Sequence, residues 1–180
     1  AGQTDPSRNA YAEAKSTSGG ILSGNGANAK AWLAYTISTD VTGSLRGTSG
    51  TSSRITLGSD ANTATAESFA SGKVFGGVAI GATLSSAGQE AGKVASVRTT
   101  FTDATVTGQN VSLRATNDPT VRTTAESGSG GLVAGSGAEV DQRINAKTAL
   151  TFAGTTTLAA RNLSIAARQT GRTSSSLDTL

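Results

Sequence analysis

The chain has 180 residues, 36% hydrophobic but only 4% aromatic and 15% charged, with a net charge of +3 and neither cysteine nor histidine. Those two absences exclude disulfides, zinc–thiolate sites and cysteine nucleophiles, and remove the commonest general base. The 15 lysines and arginines are scattered singly and aromatic stacking platforms are scarce, which argues against nucleic acid as a partner.

Charge is replaced here by Thr, Ser, Gly and Ala, so any core is narrow and built from Ala, Val, Leu and Ile. Disordered chains are richer in charge and proline, and this one has only two prolines. No apolar run approaches the roughly 20 residues of a membrane-spanning helix. Because the chain begins Ala1-Gly2-Gln3, residues 1–180 are expected to be a single repeat segment of something longer.

In chain order, Asp5-Pro6-Ser7 reads as a turn and is echoed by Asn117-Asp118-Pro119. The stretch Ala31-Trp32-Leu33-Ala34-Tyr35-Thr36-Ile37 alternates as a strand, with Leu33, Tyr35 and Ile37 on one face and Trp32, Ala34 and Thr36 on the other. Alternate large residues of this kind usually enter a core. The functional alternative is a platform of Trp32 and Tyr35 for a sugar ring or a protein partner.

Residues 43–53 are a glycine-enriched loop between strands. Strand candidates follow at Val94–Phe101, Ala104–Val106, Val111–Ala115, Arg143–Ala146, Leu150–Phe152, Thr157–Ala159 and Leu163–Ala167.

Long repeats run through these elements. Double glycines at Gly20, Gly77 and Gly131 are spaced by 57 and 54 positions (77 − 20, 131 − 77). At another phase Ile55, Val111 and Leu163 are spaced by 56 and 52 (111 − 55, 163 − 111). Units of about this length, near 4–58, 59–116 and 117–170, signal an element that buries its apolar face only by stacking on copies of itself. The drifting spacing indicates loops of variable length in a constant frame. Each unit holds about three strand-and-turn periods of roughly 18 residues, a sensible length for one coil of an all-β parallel β-solenoid. The Gly-Gly markers are structural punctuation, either corners with positive φ or strands fitted closely against a neighbouring backbone.

The strands Asn110–Ala115 and Asn162–Ala167, the Thr/Ala-rich stretch that follows, and Ser129-Gly130-Gly131-Leu132-Val133-Ala134-Gly135-Ser136-Gly137-Ala138 resemble the repeat regions of large secreted filamentous adhesins. These are the filamentous-haemagglutinin-like and leukotoxin-type adhesins of Gram-negative bacteria. The resemblance implies a right-handed β-solenoid shaft, secreted to the cell surface through an outer-membrane partner transporter by two-partner secretion. It also implies neighbouring repeats on either side. At the second marker Gly81-Ala82 lacks the pair seen at Gly135-Ser136-Gly137-Ala138, a departure from the regular pattern.

Catalysis without His would need a carboxylate pair, and Asp40, Asp60, Asp103, Asp118 and Asp141 are spread along the chain as solvated charges. The expectation is no enzyme and no cofactor. Asn110-Val111-Ser112 and Asn162-Leu163-Ser164 match the glycan-acceptor pattern, but their equivalent places favour a polar corner or an Asn ladder. Thr105/Thr107 and Thr155/Thr157 raise an ice-binding face as a third reading.

The leading expectation is a structural adhesin shaft, with a host or neighbouring-cell receptor or glycan as its target. The alternative is a ligand-binding module. Open solenoid ends expose unpaired strands, so neighbouring repeats are expected to cap both ends in the native chain, and an isolated segment is expected to self-associate end to end into fibres.

Overall fold

The computed structural model describes residues 9–47, 53–61 and 64–179. The turn at Asp5-Pro6-Ser7 and the loop residues 48–52 lie outside them. Among the described residues nine strands follow one another: β1 (Asn9–Trp32), β2 (Tyr35–Arg46), β3 (Arg54–Ala61), β4 (Thr65–Gly88), β5 (Ala95–Asn117), β6 (Thr120–Arg143), β7 (Ala146–Ala153), β8 (Thr157–Gln169) and β9 (Arg172–Thr179). All the pairings among them are parallel. One sheet runs β1-β4-β6-β9, and in the other β5 is flanked by β2 and β3 on one side and by β7 and β8 on the other. The chain is an all-β parallel β-solenoid.

The long strands are bent back on themselves. Within β1, Ser16 Oγ donates to the Gly26 carbonyl at 3.1 Å and Ser18 Oγ to the Gly24 carbonyl at 3.0 Å. Within β4, the Ser68 and Ser85 hydroxyls meet at 2.6 Å. Side chains join these limbs, so β1 and β4 are each an arch whose two limbs face one another within one bent sheet. In β5, likewise, Thr99 Oγ1 donates across the interior to the Arg114 carbonyl at 3.1 Å.

One coil is therefore a first arch, a connection and a second arch. Thr65 pairs with Asn9 and with Thr120, offsets of 56 and 55 (65 − 9, 120 − 65). Val111 pairs with Ile55 and with Leu163, offsets of 56 and 52. The expected coil of about 18 residues is corrected by these registers to one of about 55. The reason is physical: both limbs of an arch alternate inward and outward, so one bent strand reads as two short strands separated by a turn. The separators at Gly76-Gly77 and at Gly108 are bends within strands, not the ends of coils.

Variable connections in a constant frame are what the registers show. The first arch joins the second through two residues (Leu33–Ala34), six (Gln89–Val94) and two (Ile144–Asn145) in successive coils. Tyr35 to Ala95 is accordingly 60 positions, while Ala95 to Ala146 is 51 (95 − 35, 146 − 95). Gly88 at the end of β4 and Gly92 within the six-residue connection carry positive φ, and Gln89 accepts the Asn145 backbone N–H on its Oε1 at 2.7 Å.

The interior is narrow in the first arch and thicker in the second. Ala66, Ser68, Ala70, Val74, Thr83, Ser85 and Ala87 fill the arch of β4. Phe101, Ala104, Val106, Val111 and Leu113 with Ile55 form the core beneath the second bend. Leu33 packs against both the Tyr35–Val97–Ala115 group and the Ala31–Ala66–Val121 group, joining the two arches. Val111, Leu113 and Ala115 point inward as their alternation predicts.

The double glycines stack with a one-residue correction. Gly20 lies opposite Gly76, and Gly76 opposite Gly131, so Gly77 is not their equivalent. None of Gly20, Gly76 and Gly131 has positive φ. A Cβ on Gly76 would collide with the Gly20 carbonyl oxygen, and one on Gly131 with the Gly76 carbonyl. Close approach of neighbouring backbones, rather than a left-handed corner, is what requires glycine here.

Candidate functional site

Tyr35 opens β2 with its ring in the interior, 6% exposed, and its hydroxyl donates to Asn117 Oδ1 at 2.6 Å. Asn117 is fully buried and donates its Nδ2 to the Ala95 carbonyl at 2.8 Å and to the Lys147 carbonyl at 3.2 Å. A phenol with its face packed and its oxygen engaged offers no stacking surface to a ligand. Trp32 closes β1, half-buried, opposite Gly88. The two aromatics therefore do not form one exposed platform. The strand alternation placed Tyr35 inward with Leu33 and Ile37, and both of those pack on its cluster.

The two Asn-x-Ser positions stack directly. Asn162 Nδ2 donates to Asn110 Oδ1 at 2.8 Å, and Asn110 Nδ2 to the Ser53 carbonyl at 3.3 Å. That is an asparagine ladder ending at Arg54, the residue paired with Asn110 in the coil before. Arg54, Asn110, Ser112, Asn162, Leu163 and Ser164 line a shallow open groove beside it.

Threonines do not accumulate into a flat array. The Thr105 column reads Ser44–Thr105–Thr157 and the Thr107 column Arg46–Thr107–Ala159.

The carboxylates are dispersed on separate partners. Asp60 faces Arg114 at 3.6 Å, Asp118 faces Arg172 at 3.2 Å and Asp141 faces Arg143 at 3.1 Å. Asp103 has a different task. At φ 49° it forms a bulge opposite Thr42/Gly43, and its Oδ1 accepts the Thr155 backbone N–H at 2.9 Å in the next coil. Among the described residues no three His, Cys, Asp or Glu side chains stand close enough together to hold a metal ion.

A small charged cluster sits on the outer face of β1. Lys15 pairs with Glu13, lies 5.3 Å from the centre of the Phe69 ring, and Tyr11 donates its hydroxyl to Glu13 at 3.1 Å. The Lys15 ammonium first, and the Tyr11 hydroxyl second, hold the Glu13 carboxyl below its ordinary range. The same contact with Glu13 raises Lys15.

The feature that the alternation did not reveal is an apolar edge along the bend of the first arch. Ile21 and Leu22 are 87% and 79% exposed, and Leu132 and Val133 are 96% and 63% exposed. Phe75 and Ile80 stand beside them, also exposed. The columns Leu22–Val78–Val133 and Gly24–Ile80–Gly135 carry the edge from coil to coil. The signal in the sequence was an apolar pair after the glycine marker at Ile21-Leu22, Val78-Ala79 and Leu132-Val133. In the first and last coils both residues of the pair face outward at the bend, whereas in the middle coil Ala79 is buried. Comparison with protein-family models, with curated proteins and with solved structures finds no match for this chain.

Proposed function

We propose that the chain is a structural shaft segment of a secreted bacterial surface adhesin or filament, supporting cell attachment or cell–cell contact without enzymatic activity or a cofactor. The observation that carries this reading is the contrast between its inner and outer columns. Inward columns keep one chemistry from coil to coil, as in Ile55–Val111–Leu163 and Leu57–Leu113–Ile165. Outward columns are mixed: Ser38–Arg98–Ala149 changes chemistry from coil to coil, while Thr56–Ser112–Ser164 stays hydroxylic and Leu22–Val78–Val133 stays apolar. Such a molecule spends most of its regularity on stacking.

Export through an outer-membrane partner transporter, a surface location, and a receptor or glycan on a host or neighbouring cell follow from the adhesin resemblance carried by residues 110–115, 129–138 and 162–167. The test is attachment by the intact protein that contains this segment. A shaft tolerates Trp32→Ala with attachment unchanged.

A second reading, a module that binds a protein ligand, draws on the exposed apolar edge at Ile21, Leu22, Leu132 and Val133. If Leu132→Ser with Val133→Ser abolishes attachment while the parallel fold persists, the binding reading replaces the shaft.

A further inference from the structure

Two outward columns stand side by side on the second limb of the second arch, Arg54–Asn110–Asn162 and Thr56–Ser112–Ser164. Between them the backbone of Val111 and Leu163, whose side chains turn inward, forms the floor of an open groove of about 490 Å³. The groove runs parallel to the solenoid axis across three coils. Side chains that point outward stay in solvent whatever stacks above or below them.

Stacking explains one wall and not the other. Asn162 Nδ2 donates to Asn110 Oδ1, and Asn110 Nδ2 to the Ser53 carbonyl, so the amides hold one another in line. The hydroxyls of Thr56, Ser112 and Ser164 make no hydrogen bond to another of the described residues. Their column nevertheless stays hydroxylic through all three coils, while the next two on the same face, Gly58–Arg114–Ala166 and Asp60–Thr116–Arg168, change from coil to coil. A column that keeps its chemistry where packing does not require it points to a ligand.

We propose that this groove binds a carboxylate-bearing polysaccharide in extended form, a uronate chain laid along the solenoid axis. The inference goes beyond the shaft reading and does not depend on it. Hydroxyls and amides both donate and accept hydrogen bonds, which is what the hydroxyls of a sugar require. The columns step by ~4.8 Å, close to the length of one pyranose residue in an extended chain. Successive sugars therefore meet equivalent groups in successive coils. An extended peptide rises only ~3.4 Å per residue and falls out of step with the columns.

Arg54 supplies the preference for an acid. Arg114, Arg143 and Arg172 each face an aspartate, whereas Arg54 has no carboxylate within ion-pair distance among the described residues. No Asp or Glu lines the groove either. A planar guanidinium left without a counter-ion at the head of a hydrogen-bonding groove matches a carboxylate in bidentate fashion. Because the groove is shallow and open, each coil contributes little, and affinity grows with the number of coils that one long chain engages.

Isothermal titration calorimetry of the 180-residue chain with tri-galacturonate tests the proposal. Binding is expected, weakened about tenfold by Arg54→Gln through loss of one charge-assisted contact, and about threefold by Ser112→Ala through loss of a neutral one. Both side chains point outward, so an unchanged circular dichroism spectrum accompanies each loss. Arg98→Gln removes the same charge from the opposite face of the second arch and leaves the affinity as it was.

Absence of binding at millimolar tri-galacturonate overturns the proposal. So does equal binding of its methyl ester, which carries no carboxylate, or of tri-glutamate, which carries the same charges on a peptide. Equal losses with Arg54→Gln and Arg98→Gln overturn it as well, because they assign the binding to net charge and not to the groove.

Discussion

Tyr35 and Asn117 are 82 positions apart in the chain, and the phenol of one donates to the amide oxygen of the other at 2.6 Å inside the solenoid. The contact ties the start of a second arch in one coil to the end of the second arch in the next. Asn117 passes it on through its amide nitrogen to the carbonyls of Ala95 and Lys147. A fully buried amide of this kind is tolerated only with its hydrogen bonds made.

Tyr35→Phe removes one of those bonds and leaves the Asn117 oxygen without its donor. The expected loss is about 1–3 kcal/mol, read as a lower denaturation midpoint with unchanged slope. Asn117→Ala costs more than Tyr35→Phe, because it strands the phenol and the buried Ala95 carbonyl together.

Phe101 is fully buried and stacked on Phe152, which is 41% exposed. Phe101→Ala is expected to destabilise by about 3–5 kcal/mol, and Phe152→Ala by clearly less. Equal losses at the two positions would mean that the last coil is as enclosed as the middle one.

Gly76→Ala drives a Cβ into the Gly20 carbonyl, whereas a Cβ on Gly135 meets nothing within 4 Å. Thermal melts are expected to show a large loss for the first substitution and none for the second. The difference separates glycine needed for close stacking from glycine that only leaves the outer face smooth.

With no histidine or cysteine, no side chain of ordinary pKa titrates between about pH 5.5 and 8, so stability is expected to be flat there. The lowered carboxyl of Glu13 sets the sign below that window. Its contribution is present above the ordinary carboxylate value and is lost as pH falls through the lowered folded value. Denaturation midpoints from pH 8 to pH 2 check both statements, and added salt should weaken the Glu13 part because that group lies on the exposed face of β1.

The fold class was legible because the long repeat carries the register. Ile55, Val111 and Leu163 were spaced in the sequence as they pair in the structure. Coil length was not legible, because alternation shows which way a side chain points and not whether the next segment stacks on it or faces it. Gly76 and Gly77 illustrate the point. Both belong to the marker, and only the ladder shows that Gly76 lies opposite Gly20. Tyr35 was legible as a core residue from its phase with Leu33 and Ile37, but its partner Asn117 was not, since an 82-residue separation leaves no local trace. The apolar edge was hidden because at a bend two successive residues can both face water.

The central claim is a coil of about 55 residues, and continuous-wave electron spin resonance on pairs of spin labels at introduced cysteines tests it most directly. Ser38 and Arg98 are exposed and lie opposite each other on neighbouring coils, 60 positions apart (98 − 38). Labels there should show strong dipolar broadening, as expected at a spacing near ~4.8 Å. Labels at Arg98 and Thr116, 18 positions apart (116 − 98), stand on opposite faces of the second arch and should give sharp, uncoupled spectra. Broadening of the 98/116 pair with a sharp 38/98 pair would contradict the long coil and restore one of about 18 residues.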